Sequence, residues 1–182
     1  CAEAAERHAL SRDEPITYPW LDARVLAFFQ DSRVLLAVDH ELDIKRTALL
    51  AYLKSVGLSG QAASVGIVDI GWRGTIQDNL AFTLPEVTWK GYYLALNRFL
   101  NVQPGNSTKV AFGPDINRSP EHAGLLDFVA PIEMLCNSPN GSVIGYQLNQ
   151  TGIQVIRHVD SDENRIHEAY VRDFQQGVLD AV

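Results

Sequence analysis

The sequence predicts an α/β protein: a Rossmann-like sheet with a central parallel strand at about residues 64–70, flanking helices, and a C-terminal hairpin followed by a helix. Three observations lead there. Val65-Gly66-Ile67-Val68-Asp69-Ile70 is a continuous apolar run closed by one acid, the pattern of a strand buried on both faces. On either side lie stretches with helical periodicity, and Thr88 to Leu96 (TWKGYYLAL) follows as a second strand rich in aromatic residues. The order helix, strand, helix, strand implies a right-handed crossover unit.

The remaining elements follow in chain order. The Ala- and Glu-rich first ten residues read as the tail of a helix, ended by Ser11 to Pro15. Trp20 to Phe29 starts after Pro19 and places Leu21, Val25, Phe28 and Phe29 at helical spacing. Val34 to Val38 has no usable period and stays open between strand and helix. Glu41 to Val56 is a helix with Leu42, Leu49, Leu53 and Val56 on one face and Gly57 at its C′ position. Ile76 to Leu84 is a helix stopped by Pro85. Asn101 to Glu121, dense in Pro, Gly, Asn and Ser, is a long loop around a short strand at Val110 to Phe112. Leu125 to Leu135 is a helix or turn region broken by Pro131. Val143 to Leu148 and Ile153 to Val159 pair as a hairpin across Asn149 to Gly152. The final segment opens with Ser161 as N-cap and repeats Ile166, Tyr170, Phe174 and Val178 every four residues, a helix with one buried stripe.

Length and charge narrow the function. A chain of 182 residues with 46% hydrophobic and 20% charged side chains is expected to form one α/β domain over 1–182, with a helical lead-in at 1–40 and a core at 41–182. It opens with Cys1 and ends on Val178, Leu179 and Val182 without a helix stop, so it reads as a fragment of a longer polypeptide. No apolar run approaches the roughly 20 residues of a membrane span. Fifteen basic residues against 22 acidic give a net charge of −7 with no cationic stripe, which argues against nucleic-acid binding. Cys1 and Cys136 form neither a disulfide framework nor a metal motif, which fits a reducing, cytoplasmic setting. Four Asn-x-Ser/Thr sequons, with no signal peptide before them, are read as chance.

The segment Val65 to Leu80, VGIVDIGWRGTIQDNL, is the richest in chemistry. A strand, a short two-glycine loop and a helix put backbone N–H groups and the positive end of a helix dipole at the strand's C-terminal edge, a ready anion site. Gly71 and Gly74 permit tight backbone, Thr75 can cap the helix, and Arg73 can clamp a phosphate or carboxylate. Asp69 can bind a sugar hydroxyl, coordinate a metal such as Mg²⁺, or act as a base. The structural alternative is that Thr75 is only a cap, Asp69 closes a turn, and Arg73 pairs with Asp69 or Asp78. The segment is neither a P-loop nor a GxGxxG fingerprint, and it lacks the paired acids of a phosphoribosyltransferase loop. Glu133, an acid within Ile132-Glu133-Met134-Leu135, is a second catalytic candidate if a cleft holds it. The five histidines show no metal-ligand spacing, and no metal site is expected from them.

Three segments together resemble a known family: RTALLAYLKSVGL (Arg46 to Leu58), VDIGWRGTIQDNL with GYYLAL after it, and IEML…SPNGSVIGY leading to the acidic helix with Gln175-Gln176-Gly177. They are similar to the C-terminal region of bacterial predicted haloacid-dehalogenase-superfamily hydrolases associated with cell-surface polysaccharide synthesis. DIGWRGTIQ is the specific part, and the likeness spans about residues 41–178. It implies an accessory α/β domain whose hydrolase partner, with the nucleophilic Asp, lies upstream in the same polypeptide. Gly71 stands where the second Asp of a dehalogenase motif would be. The site residues it carries over are Asp69, Trp72, Arg73, Gly74, Thr75 and Gln77, facing a sugar phosphate or nucleotide sugar. A non-catalytic scaffold and a divergent glycosyl- or phosphoribosyl-type transferase are the alternatives.

Overall fold

A computed structural model describes residues 2–58 and 64–181. They group into two compact units, Cys1–Tyr52 with Tyr146–Gln154, and Leu53–Gly145 with Val155–Val182.

The first unit is helical. After α1 (Ala2–Arg7) comes α2 (Ala23–Gln30), capped by Asp22, whose carboxylate accepts from the Arg24 backbone N–H at 2.8 Å. Arg24 then reaches Asp22 and Glu14 at 2.7 and 3.0 Å. Asp31 starts the next helix in the same way, accepting from Arg33 N–H at 2.9 Å while pairing with Arg7. This cap explains why α3 (Ser32–Ser55) begins well before the expected Glu41 and takes in the ambiguous Val34 to Val38 run. The tip of the later hairpin belongs to this unit, and its Tyr146 ring stacks on Tyr52 at 4.5 Å.

The second unit is mixed α/β. Strand β1 (Ser64–Asp69) leads through α4 (Thr75–Thr83), stopped before Pro85, to β2 (Thr88–Tyr93), and β3 (Ser107–Ala111) completes a parallel sheet of order β1-β2-β3. The strand at 64–69 is where the sequence puts it and is parallel, but the middle place belongs to β2. Sequence neighbours pair in turn here, leaving β1 at the edge of the described sheet. Its side chains accordingly alternate in exposure, and Val68 is 87% exposed.

One face of this sheet carries the core. The register aligns Val65, Trp89 and Ser107, then Ile67, Gly91 and Lys109, then Asp69, Tyr93 and Ala111 on the same side, because parallel partners point the same way. Helix α4 lies over β2 and β3 on that side and buries Gln77, Asp78 and Ala81, while Trp89 beneath is fully buried. On the opposite face Val68, Tyr92 and Val110 are exposed.

Beyond the sheet, a 3₁₀ turn (Ala123–Asp127) precedes α5 (Ala130–Leu135). Pro131 sits in the first turn of α5, where its missing N–H costs no helical bond, so it opens the helix and does not break it. Strands β4 (Ser142–Asn149) and β5 (Gly152–His158) pair as the expected hairpin. The C-terminal segment is helical throughout: α6 (Ser161–Ile166), a π turn (His167–Val171) and α7 (Arg172–Asp180). Two expectations change there. Asp160, not Ser161, is the cap, accepting from Asp162 and Glu163 N–H at 2.8 and 3.1 Å, and those donors hold its carboxyl below the ordinary range. The buried side chains are His167 and Val171, whereas Tyr170, Phe174 and Val178 are exposed. The packed side is instead Asn164, His167, Val171 and Gln175, a stripe set one residue off from the expected one, and Ile166 is already exposed before the π turn.

Candidate functional site

The loop from Ile70 to Gly74 leaves the C-terminal end of β1, where ligands favour parallel α/β sheets. Its backbone is fixed at several points. The Gly71–Trp72 peptide is cis, Ala95 N–H donates to Ile70 O at 3.4 Å, and Asn97 N–H donates to Trp72 O at 2.6 Å. Gly71, at φ +142°, passes so close to the next strand exit that a Cβ would stand 2.7 Å from Ala95 O. Gly74 is left-handed at φ +66° and is itself the N-cap of α4, with no side-chain cap; a Cβ there would meet the Tyr93 hydroxyl and the Lys109 stem at 2.7 Å. Thr75 is therefore the first helical residue, exposed, and not the cap expected of it.

A buried polar network lies under this helix start. Lys109 extends from β3 and ion-pairs with Asp78 at 2.6 Å, both side chains about 96–97% buried. The same ammonium donates to Arg73 O at 3.1 Å and Gln103 Oε1 at 2.8 Å, and sits 4.4 Å from the centre of the Phe99 ring. Gln77 donates to Ser107 Oγ and Thr108 O at 2.8 and 2.9 Å and accepts from the Tyr93 hydroxyl at 2.8 Å. Burial, with the Asp69 and Asp78 charges added, pushes the Tyr93 phenol above its ordinary pKa, so it remains a donor. Gly91 makes the arrangement fit, since any Cβ there would collide with Gln77 Oε1 and the Tyr93 ring.

This network sorts the residues expected at the site. Gln77 is 0% exposed with its amide fully bonded, so it locks α4 to the sheet and cannot meet a ligand. Asp78 is taken by Lys109. Arg73 reaches neither Asp69 nor Asp78, and its guanidinium has no hydrogen bond or ion pair among the described residues. Asp69 accepts from Gly71 N–H at 3.4 Å, the turn-closing contact. Among the described residues no group of three or more His, Cys, Asp or Glu could hold a metal ion, so the donors for Mg²⁺ are not gathered around Asp69. Glu133, from α5, is exposed and accepts the Trp72 indole N–H at 2.7 Å, which brings it to the loop through Trp72.

Trp72 also walls a cleft of about 470 Å³ at the C-terminal ends of the strands, together with Leu94, Phe112 and Phe128. A second hollow of about 550 Å³ shares Phe112 and Leu125 with it and is lined by Asp115, Arg118 and His122. Of these residues the sequence singles out Trp72 alone, and not Lys109, Gly91, Leu94, Phe112 or Phe128. A glycine between Lys90 and Tyr92 inside a strand was the readable signal of a close approach. No protein-family model matches this sequence, and no curated protein is significantly similar to it.

Proposed function

We propose that this chain binds a phosphorylated or nucleotide-linked sugar at the Gly71 to Thr75 loop, as the accessory α/β domain of a haloacid-dehalogenase-like hydrolase acting in cytoplasmic steps of surface-polysaccharide synthesis. The observation that carries the reading is the division of labour between two cations. Lys109 satisfies Asp78 inside the fold, which leaves Arg73 without a partner among the described residues, next in the chain to an α4 N-terminus that lacks a side-chain cap. An anion there gains the N–H groups after Gly74, the helix dipole and a guanidinium. Hydrolase chemistry belongs, in this proposal, to the upstream part of the polypeptide; Asp69 orients a hydroxyl group of the ligand, and Glu133 acts through the Trp72 indole whose N–H it accepts.

Calorimetric titration with sugar phosphates and nucleotide sugars tests it. Arg73→Ala is expected to weaken binding by about 1.5–3 kcal/mol, the worth of hydrogen bonds to a charged group, with thermal stability unchanged. Absence of binding to wild type, or an Arg73→Ala variant that loses stability and keeps its affinity, overturns it. A scaffold reading is favoured by one feature, the open sheet face at Val68 and Tyr92, 87% and 51% exposed. Under that reading Val68→Asp abolishes association with a hydrolase domain and leaves ligand affinity intact.

A further inference from the structure

We infer that the cleft beside Trp72 receives the flat aromatic base of a nucleoside phosphate, so that the ligand of this site is a nucleotide and not a bare sugar phosphate. The inference rests on the proposed function for the phosphate end and adds the identity of the other end. Trp72, Leu94, Phe112, Leu125, Phe128 and Ile132 supply most of the wall, and no charged side chain lines it. Its one polar side-chain atom, Trp72 Nε1, is already committed to Glu133. A sugar ring placed there would strand several hydroxyl groups without partners, whereas a heteroaromatic ring loses little by burying its faces. The volume of about 470 Å³ lies in the range of small-molecule sites. Phe112 and Phe128 are 94% and 79% exposed, large aromatic surfaces that a stacked base would cover. Trp72, a wall of the cleft, and Arg73, the cation of the loop, are consecutive residues, so the proposal sets the base on the indole and the phosphate at the loop that ends at Gly74. Glu133 is then a positioning residue that holds the indole as a wall.

Titrating the whole chain with AMP, UMP, ribose 5-phosphate, adenosine and decyl phosphate separates the ends of the ligand. The better nucleotide is expected to bind about tenfold or more tightly than ribose 5-phosphate. Phe128→Ala, at a position 79% exposed, is expected to remove most of that advantage and leave ribose 5-phosphate unchanged. Glu133→Ala is expected to weaken the nucleotide, with affinity restored in Glu133→Gln, which still offers an acceptor. Equal affinity for nucleotide and ribose 5-phosphate overturns the cleft assignment while the loop reading survives. Adenosine binding as well as AMP supports the cleft and overturns the loop. Decyl phosphate exceeding both nucleotides assigns the cleft to a hydrocarbon chain and overturns the base, and no binding by any probe overturns cleft and loop together.

Discussion

Replacing Lys109 by Met removes the charge from the centre of the second unit while keeping most of the side-chain volume. The Lys109 side chain is 97% buried, and its ammonium serves four partners: Asp78, Arg73 O, Gln103 Oε1 and the Phe99 ring. Its loss leaves the Asp78 carboxylate buried, with Oδ1 deprived of the one group that faces it and Oδ2 holding only a 3.3 Å bond from Gln103. Breaking one side of a buried pair costs about 3–5 kcal/mol, because the orphaned charge stays desolvated. At roughly 2–4 °C per kcal/mol for a chain of this size, the unit should melt roughly 6–20 °C lower. Tryptophan emission is a suitable assay: Trp89 is fully buried in this unit, whereas Trp20, 65% exposed in the other, already emits from water. The double variant Lys109→Met/Asp78→Leu should recover most of the loss, since apolar replacement of both partners is often close to neutral. A single variant within about 1 kcal/mol of wild type, or a double variant no better than the single, refutes the argument that this pair holds α4 on the sheet.

Gly91→Ala should destabilise the same unit by about 1–3 kcal/mol in chemical denaturation, because its methyl displaces Gln77 and Tyr93; a neutral result would contradict the close approach. Val68→Asp should change stability by no more than about 0.5 kcal/mol, while Ile67→Asp, on the face under α4, should cost at least about 2 kcal/mol. Equal effects would mean that the strand is buried on both faces after all. The Arg24 side chain, helped by its own backbone N–H, lowers the Asp22 carboxyl to about 2. A depressed folded pKa stabilises above the unfolded value and ceases to do so as pH falls through the folded one, so the contribution should fade between about pH 4 and pH 2. Nuclear magnetic resonance titration of the carboxyl, with Asp22→Asn flattening the acid limb of stability, checks the sign.

The sequence reveals the crossover because its signals are local: the apolar run at Val65 to Ile70, Pro85 after α4 and the aromatic β2 each act within one element. The order of strands is different in kind. Burial on both faces and burial on one face both give valines and isoleucines, and only the observed pairing shows β2 between its neighbours with Val68 turned outward. The loop is readable for the same local reason, since two glycines flanking Trp72-Arg73 must serve tight backbone. The roles of Gln77 and Asp78 are not, because each is decided by a residue from another strand, Tyr93 or Lys109, 16 and 31 positions away. The helix stripe at Tyr170, Phe174 and Val178 misleads because the side that packs, Asn164, His167, Val171 and Gln175, is mostly polar and so leaves no apolar period to read.

In the proposed function an anion meets the backbone between Gly74 and Gln77. Amide proton and nitrogen shifts of the labelled protein, followed while AMP or a nucleotide sugar is added, test this most directly. The amides of Thr75 and Ile76 and the Arg73 Nε–H should move first and saturably, with the shifts lost in Arg73→Ala and the rest of the spectrum preserved. Shifts confined to the hollow around Asp115 and His122, or no shift at millimolar ligand, would contradict the claim.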